Sequence, residues 1–265
     1  MTEVRLSGIS IYPVKSCGGI ALASTRLDAF GPEGDRRWML VDGAGQFVTQ
    51  RNLARLALLE TALEADQLVL SLEDRRLPVP VPAPEAPRRR VTVWGDTLEA
   101  LDAGDAAADW LFETLGLPCR LVYMPDDARR QVEPLYARRG ETVSFADGFP
   151  LLLISQASLD DLNARLDRPV PMNRFRPNLV VTGCEAFDED RWQRLRIGSL
   201  EFDVAKPCSR CVMPSIDQAT GQRDPQINRV LARYRRREGQ VYFGQNLLYP
   251  EAGTVSVGDS VEVLA

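Results

Sequence analysis

What most constrains this chain is its punctuation. Apolar residues come in short runs, and glycine, proline or a polar cluster closes almost every one. Short strands at regular spacing can bury their apolar faces only by pairing into a sandwich or barrel. Val4 to Tyr12 alternates apolar and polar residues, the period of a half-buried strand. Ile20 to Leu27, Arg37 to Val41, Gln46 to Thr49, Gln67 to Leu72, Arg89 to Trp94, Thr97 to Leu101 and Arg120 to Tyr123 continue the rhythm. Pro150 to Ile154, Leu179 to Val181, a hairpin from Leu195 to Val204, Val241 to Leu248 and Thr254 to Leu264 complete it. The proline-rich stretch Pro78 to Pro87 fits an edge strand running into a loop.

Three stretches change to the helical period. Ala103 to Leu115 has Asp105 as its cap and Gly116 as its stop. Ser155 caps a second helix reaching Leu166, and Pro225 to Arg237 forms a third, strongly basic one. Leu53 to Leu63 fits helix and strand equally. The expected fold is therefore mainly β with α (α+β). A boundary near residue 120 divides the chain into lobes 1–120 and 121–265.

Composition removes whole classes of function. The 265 residues contain no histidine, which excludes Ser-His and Cys-His nucleophile pairs and His-ligated zinc. A net charge of −5 offers no basic field for duplex nucleic acid. No apolar run approaches the roughly 20 residues a membrane helix needs. The start, Met-Thr-Glu-Val-Arg-Leu, lacks the plan of a signal peptide, and five cysteines make an odd count for a disulfide scaffold. The cytoplasm is the expected compartment. Of the 32 basic residues only Lys15 and Lys206 are lysines.

Lys206 lies in the densest chemical stretch, Lys206-Pro207-Cys208-Ser209-Arg210-Cys211-Val212-Met213-Pro214, closed by Thr220-Gly221. Cys-x-x-Cys reads as a redox pair, half a zinc site or part of another metal site, with two buried structural thiols as the plain alternative. Pro214 argues against the helix that a redox pair would start. A zinc site would have to recruit two of Cys17, Cys119 and Cys184. The remaining option is one thiolate offered to a metal that brings its other ligands. Arg210 and Lys206 beside Cys211 would favour that thiolate.

This segment resembles the cysteine segment of the MOSC domain, the module shared by molybdenum-cofactor sulfurases and amidoxime-reducing proteins. Tyr12-Pro13-Val14-Lys15-Ser16-Cys17, Asn173-Arg174-Phe175-Arg176-Pro177-Asn178 and Tyr242-Phe243-Gly244-Gln245-Asn246 match the same family in the same order. Within it the chain is similar to the mitochondrial amidoxime-reducing components and their bacterial counterpart, which confers resistance to N-hydroxylated purines. The resemblance implies a β-barrel MOSC domain packed with an N-terminal β-rich domain.

It also implies a molybdenum cofactor whose metal is ligated by Cys211, the catalytic residue, with Cys208 structural. Lys15 and Ser16 then form an anion-binding pair for the cofactor phosphate, helped by Arg37, with Arg36 as its neighbour. Arg176 and Asn178 suit a pterin edge. By resemblance Ser209 and Arg210 present backbone amides near the metal. Asp147 and Asn246 complete the cofactor-binding set, although Gly148 and Asn246 depart from the mitochondrial members. Asp217 is either an outer acceptor or a turn residue.

The implied reaction is reduction of small N-hydroxylated substrates by two electrons and two protons. Because no iron–sulfur domain follows in this sequence, a separate electron donor is expected, such as a flavin reductase or an iron–sulfur protein. It would dock on the Arg229 to Arg237 helix or the Asp126 to Gly140 loop. A sulfur carrier with a Cys211 persulfide, or a non-catalytic molybdopterin carrier, is the alternative.

Overall fold

The computed structural model describes residues 3–265, so Met1 and Thr2, the start of the segment read for a leader, lie outside the described residues. The order of strands in its largest sheet explains where the site can form. Strands Val261–Val263, Arg194–Ile197, Leu200–Ser209, Gln240–Leu248, Leu151–Ser155, Leu179–Thr182, Arg5–Ile11 and Ile20–Leu22 lie side by side. The first strand thus joins a sheet built mostly from the second half of the chain, antiparallel to Leu179–Thr182 on one side and to the edge strand Ile20–Leu22 on the other. Its far end meets the C-terminal segment: Leu6 N–H donates to Asp259 O (2.9 Å), and Gly258 N–H and Val261 N–H donate to Leu6 O and Val4 O. These bonds join the two ends of the sheet, whose enclosed core includes Leu6, Ile9, Leu153, Leu179, Leu195, Phe202 and Leu247.

A second sheet orders Trp38–Val41, Arg120–Tyr123, Asp96–Asp102 and Arg88–Val93, and a third orders Glu60–Glu64, Gln67–Leu72 and Arg75–Pro80. The strand Arg120–Tyr123, where the expected boundary falls, pairs with strands of the earlier half. Pro78 and Pro80 lie on an outer strand, where a missing N–H costs no ladder bond. Trp38, Leu40, Leu56, Leu59, Leu68, Leu70, Leu111 and Leu121 form the core beneath these sheets.

Several expectations change. Leu53 to Leu63 is both elements in turn, a 3-10 helix over Ala54–Leu58 and then the strand Glu60–Glu64. Ile20 to Leu27 splits into two strands in different sheets, and Gln46 to Thr49 makes only isolated bridges to Val41 and Thr92. The helix Asp105–Leu115 is capped by Gly104 at φ 91°, not by Asp105; Asp102 instead accepts the Gly104 N–H at 2.8 Å. Ser155 does cap its helix, Gln156–Asn163, by accepting the Ser158 N–H at 3.0 Å, though the helix stops short of Leu166. The third helix is Gln226–Tyr234, shorter than read, because Arg236–Arg237 pairs as a strand. Among the described residues no helix is long and apolar enough to cross a membrane.

Candidate functional site

The two halves meet at a cleft of about 120 Å³ that opens to solvent at its mouth. One wall is the turn that follows the first strand. Cys17 N–H closes onto Val14 O at 3.1 Å, Ser16 takes φ 68°, and Lys15 N–H pins the turn to Trp38 O at 2.8 Å. Lys15 is 5% exposed, and its ammonium donates to Phe145 O (2.7 Å) and Asp147 Oδ1 (2.6 Å). Burial lowers its pKa to about 8 against the pull of Asp147. For Asp147 crowding opposes the charge, but the Lys15 ammonium and the Trp94 indole hold the carboxyl below the usual carboxylate range. Solvent still reaches 70% of the Asp147 side chain, so screening limits what this pair adds to stability.

Trp94 is a residue that sequence reading missed. It sits at the tip of the hairpin Arg88–Val93/Asp96–Asp102 with φ 55°, an uncommon conformation for a bulky side chain. Its Nε1–H donates to Asp147 Oδ1 at 3.1 Å, and the Arg51 guanidinium lies 4.5 Å from its ring centre.

Arg36, not Arg37, lines the cleft. Arg36 adopts φ 47°, which sends its side chain back over the Tyr12 ring at 4.4 Å. It donates to Asp35 Oδ2 (2.6 Å), Asn178 Oδ1 (3.1 Å) and Arg176 O (3.3 Å). Arg37 turns away, donates to Met124 O and Asp126 Oδ1 (each 2.6 Å from Nη2), and stacks on Phe30 and Tyr123. Of the two arginines, Arg36 is therefore the one placed in the cleft.

Arg176, at φ 56°, stacks on Tyr12 at 4.1 Å and donates to Gln218 Oε1 at 3.3 Å. Its Nη2 is buried without a partner, and burial lowers its pKa to about 10. Asn178 lines the same wall, with its carboxamide partly engaged: Oδ1 accepts from Arg36 and Leu152 N–H, and one Nδ2–H donates to Ser10 O.

The opposite wall is the end of the strand Leu200–Ser209. Pro207 cannot complete the ladder, and register shifts on either side of it mark bulges, which re-aim the side chains that follow. The neighbouring strand Gln240–Leu248 approaches Leu151–Ser155 on its other side closely because Gly244 (φ 84°) has no Cβ to strike Leu153 O, which would lie 2.9 Å away. Cys208, Ser209, Arg210 and Cys211 all line the cleft, Cys208 half-buried and Cys211 exposed. Arg210 N–H is spent on Val241 O at 2.7 Å, so that amide is not free for a metal-bound oxygen. Its guanidinium reaches Cys208 Sγ (3.1 Å) and Phe175 O (2.8 Å), not Cys211. Lys206 also leaves the thiols, facing Glu133 at 3.6 Å and the Tyr136 ring at 4.8 Å. Asn246 lines the cleft and donates to Lys206 O at 3.3 Å. Asp217 resolves as a turn residue, accepting Ala219 and Thr220 N–H while pairing with Arg174. Cys211 O accepts from Asn228 of the helix Gln226–Tyr234 at 2.8 Å.

The cleft thus brings Lys15, Ser16, Asp147, Arg176, Asn178, Ser209, Arg210, Cys211 and Asn246 together from segments far apart in sequence. The family models match on both sides of it: the MOSC N-terminal beta barrel domain over residues 3–118 and the MOSC domain over residues 140–262. The human protein named Mitochondrial amidoxime-reducing component 1 is 35% identical over 277 residues, covering 96% of this chain and 81% of that one. The chain is a MOSC-domain protein. The Molybdenum cofactor sulfurase of Oryza sativa subsp. japonica is 33% identical over 95% of this MOSC protein and 33% of its own length. Among solved structures, the YUAD protein of Bacillus subtilis aligns over 98% of this chain and 94% of its own, with a TM-score of 0.45 and 12% identity.

The other metal readings are not assembled in this MOSC protein. Among the described residues no group of three or more His, Cys, Asp or Glu side chains could hold a metal. Cys17 and Cys119 lie in the N-terminal core, where burial pushes their thiols up to about 12 and about 11. Cys184 packs against the core of the large sheet. The residues do fit an anionic group brought from outside. Lys15, Arg36, Arg176 and Arg210 face the cleft, yet no carboxylate is hydrogen-bonded to Arg176 or Arg210 among the described residues. An orphaned buried guanidinium nitrogen on Arg176 and an exposed thiol on Cys211, both in the lining of one cleft, match the charge and the softness of a metallopterin.

Proposed function

We propose that this MOSC protein is a molybdenum-cofactor-dependent reductase of N-hydroxylated compounds (amidoximes, hydroxylamines, N-hydroxylated bases). The observation that carries the reading is the shared cleft: an exposed cysteine together with Arg176 and Arg210, to which no carboxylate is hydrogen-bonded among the described residues. The names of the relatives support the same chemistry. Cys211 would be the one protein ligand to molybdenum. Lys15, the Ser16 turn, Arg36 and Arg176 would hold the phosphate end, with Phe175 and Leu152 as apolar lining. When bound, the cofactor supplies two-electron chemistry that removes oxygen from nitrogen.

The chain's own task is to place substrate and protons. Asp147 keeps one carboxylate oxygen at the solvent side, where a polar N-hydroxyl group would enter. Lys15, with its pKa near 8, can hold or release a proton at Nζ under neutral conditions. Electrons would come from a separate partner, a flavin reductase or iron–sulfur protein. The exposed Arg229 and Arg233 offer it a docking face on the helix that touches Cys211 through Asn228. A cytoplasmic setting belongs to the same proposal.

The test is molybdenum analysis of wild type and Cys211→Ala made in a cofactor-competent host, with benzamidoxime reduction followed in parallel. Wild type should carry metal and activity, and the variant neither. Wild type free of molybdenum and pterin would end the reading. The exposure of Cys211 favours one second reading, a persulfide carrier. Intact mass would show an added sulfur without metal in that case.

A further inference from the structure

One buried arginine is treated unlike the others. Arg37, Arg130, Arg174 and Arg235 are each bonded to an aspartate. Arg176, equally buried, is bonded instead to a carboxamide, Gln218 Oε1 at 3.3 Å. Gln218 is in turn locked to Gln50, 168 positions away, by two reciprocal amide bonds of 3.0 and 3.1 Å. Gln50 is fully buried, and its Nε2 also donates to Ser16 O at 2.8 Å. Gln218 Nε2 donates to Ile216 O at 2.9 Å.

Only one orientation of the two amides satisfies this set. Ser16 O and Ile216 O accept only, so both NH2 groups must face them. That leaves Gln218 Oε1 toward the Arg176 guanidinium. A carboxylate in its place would bond Arg176 more strongly, as a charge-assisted pair. It would also cancel the charge that an incoming anion needs.

We propose that Gln50 and Gln218 form a neutral clasp that aims Arg176 and the Ser16 turn into the cleft without discharging the guanidinium. The two glutamines are thus positioning residues for the anionic end of the bound group, an assignment that rests on the cleft reading above. The same pair joins the turn of the first lobe to the cysteine segment, so one contact sets the spacing of both walls.

The test uses full-length protein from a host that makes no molybdopterin, titrated with inorganic phosphate by calorimetry and by thermal shift. Three proteins are compared: wild type, Gln218→Glu and Gln218→Leu. Gln218→Glu gives Arg176 a carboxylate, but its second oxygen cannot donate to Gln50 Oε1 and Ile216 O as Nε2 does. Gln218→Leu loses the same bonds and gives Arg176 no counter-charge. Both variants should be less stable than wild type. Gln218→Glu should lose the most phosphate affinity, about tenfold or more, while Gln218→Leu keeps more of it because Arg176 stays uncancelled. If Gln218→Glu binds phosphate as wild type does, or no more weakly than Gln218→Leu, the clasp is a structural contact and the proposal fails. If wild type itself shows no phosphate response, the reading of the cleft falls first, and the clasp with it. Pterin and molybdenum content of the same variants from a competent host gives a second readout.

Discussion

The cleft holds its positive charge in two ways. Lys15 and Arg36 each have a carboxylate, Asp147 for Lys15 and Asp35 for Arg36. Arg176 and Arg210 rest instead on amide or carbonyl oxygens, a thiol and aromatic faces. The first pair is complete without a ligand. The second stores uncancelled charge, which costs stability until an anion arrives. Each pair should therefore answer mutation with a different sign.

The largest effect should come from Arg36→Met. It leaves the Asp35 carboxylate, 1% exposed, without its ion partner and should cost about 3–5 kcal/mol in denaturant unfolding. Arg176→Met should do the opposite: stability equal to wild type or higher, with phosphate affinity down by tenfold or more. Comparable losses of stability in the two variants would break the contrast.

The pH response sharpens it. Lys15 titrates near 8 in the folded protein, whereas the unfolded chain keeps that proton to about 10.5. Between those values the unfolded state binds more protons, so stability rises with pH as the buried ammonium is relieved. Anion affinity falls over the same interval. Thermal shift with and without phosphate from pH 7 to 9.5 should show both trends, and Lys15→Met should flatten both. The smallest effect belongs to Trp94→Phe, which removes one hydrogen bond to a largely exposed carboxylate. A loss of about 1 kcal/mol or less is expected by thermal unfolding.

The sequence revealed the parts of the cleft unequally. The Lys15 turn and the cysteine segment are continuous stretches whose turn residues, thiols and charges stand next to one another, so local pattern exposes them. The choice between Arg36 and Arg37 was not legible. It depends on a single left-handed φ, and nothing in Asp35-Arg36-Arg37-Trp38 marks which arginine takes it. Gln50 and Gln218 carry no motif and meet only in three dimensions. The resemblance offers the Arg210 amide as a donor, but sequence does not show the Val241 carbonyl that engages it. Strand rhythm forecast the mainly β architecture. The placing of the first strand beside Leu179–Thr182 is a long-range pairing that periodicity cannot specify.

That strand also bears on how the polypeptide is made. Its slot in the sheet needs residues 179–182 on one side, while Leu6 also bonds to Gly258 and Asp259 near the other terminus. During synthesis the edge that faces Leu179–Thr182 must wait for those residues, while Ile20–Leu22 can cover part of the other edge at once. Non-local pairings of this kind slow folding and prolong exposure of an unpaired edge. The waiting edge is the natural place for a chaperone to act.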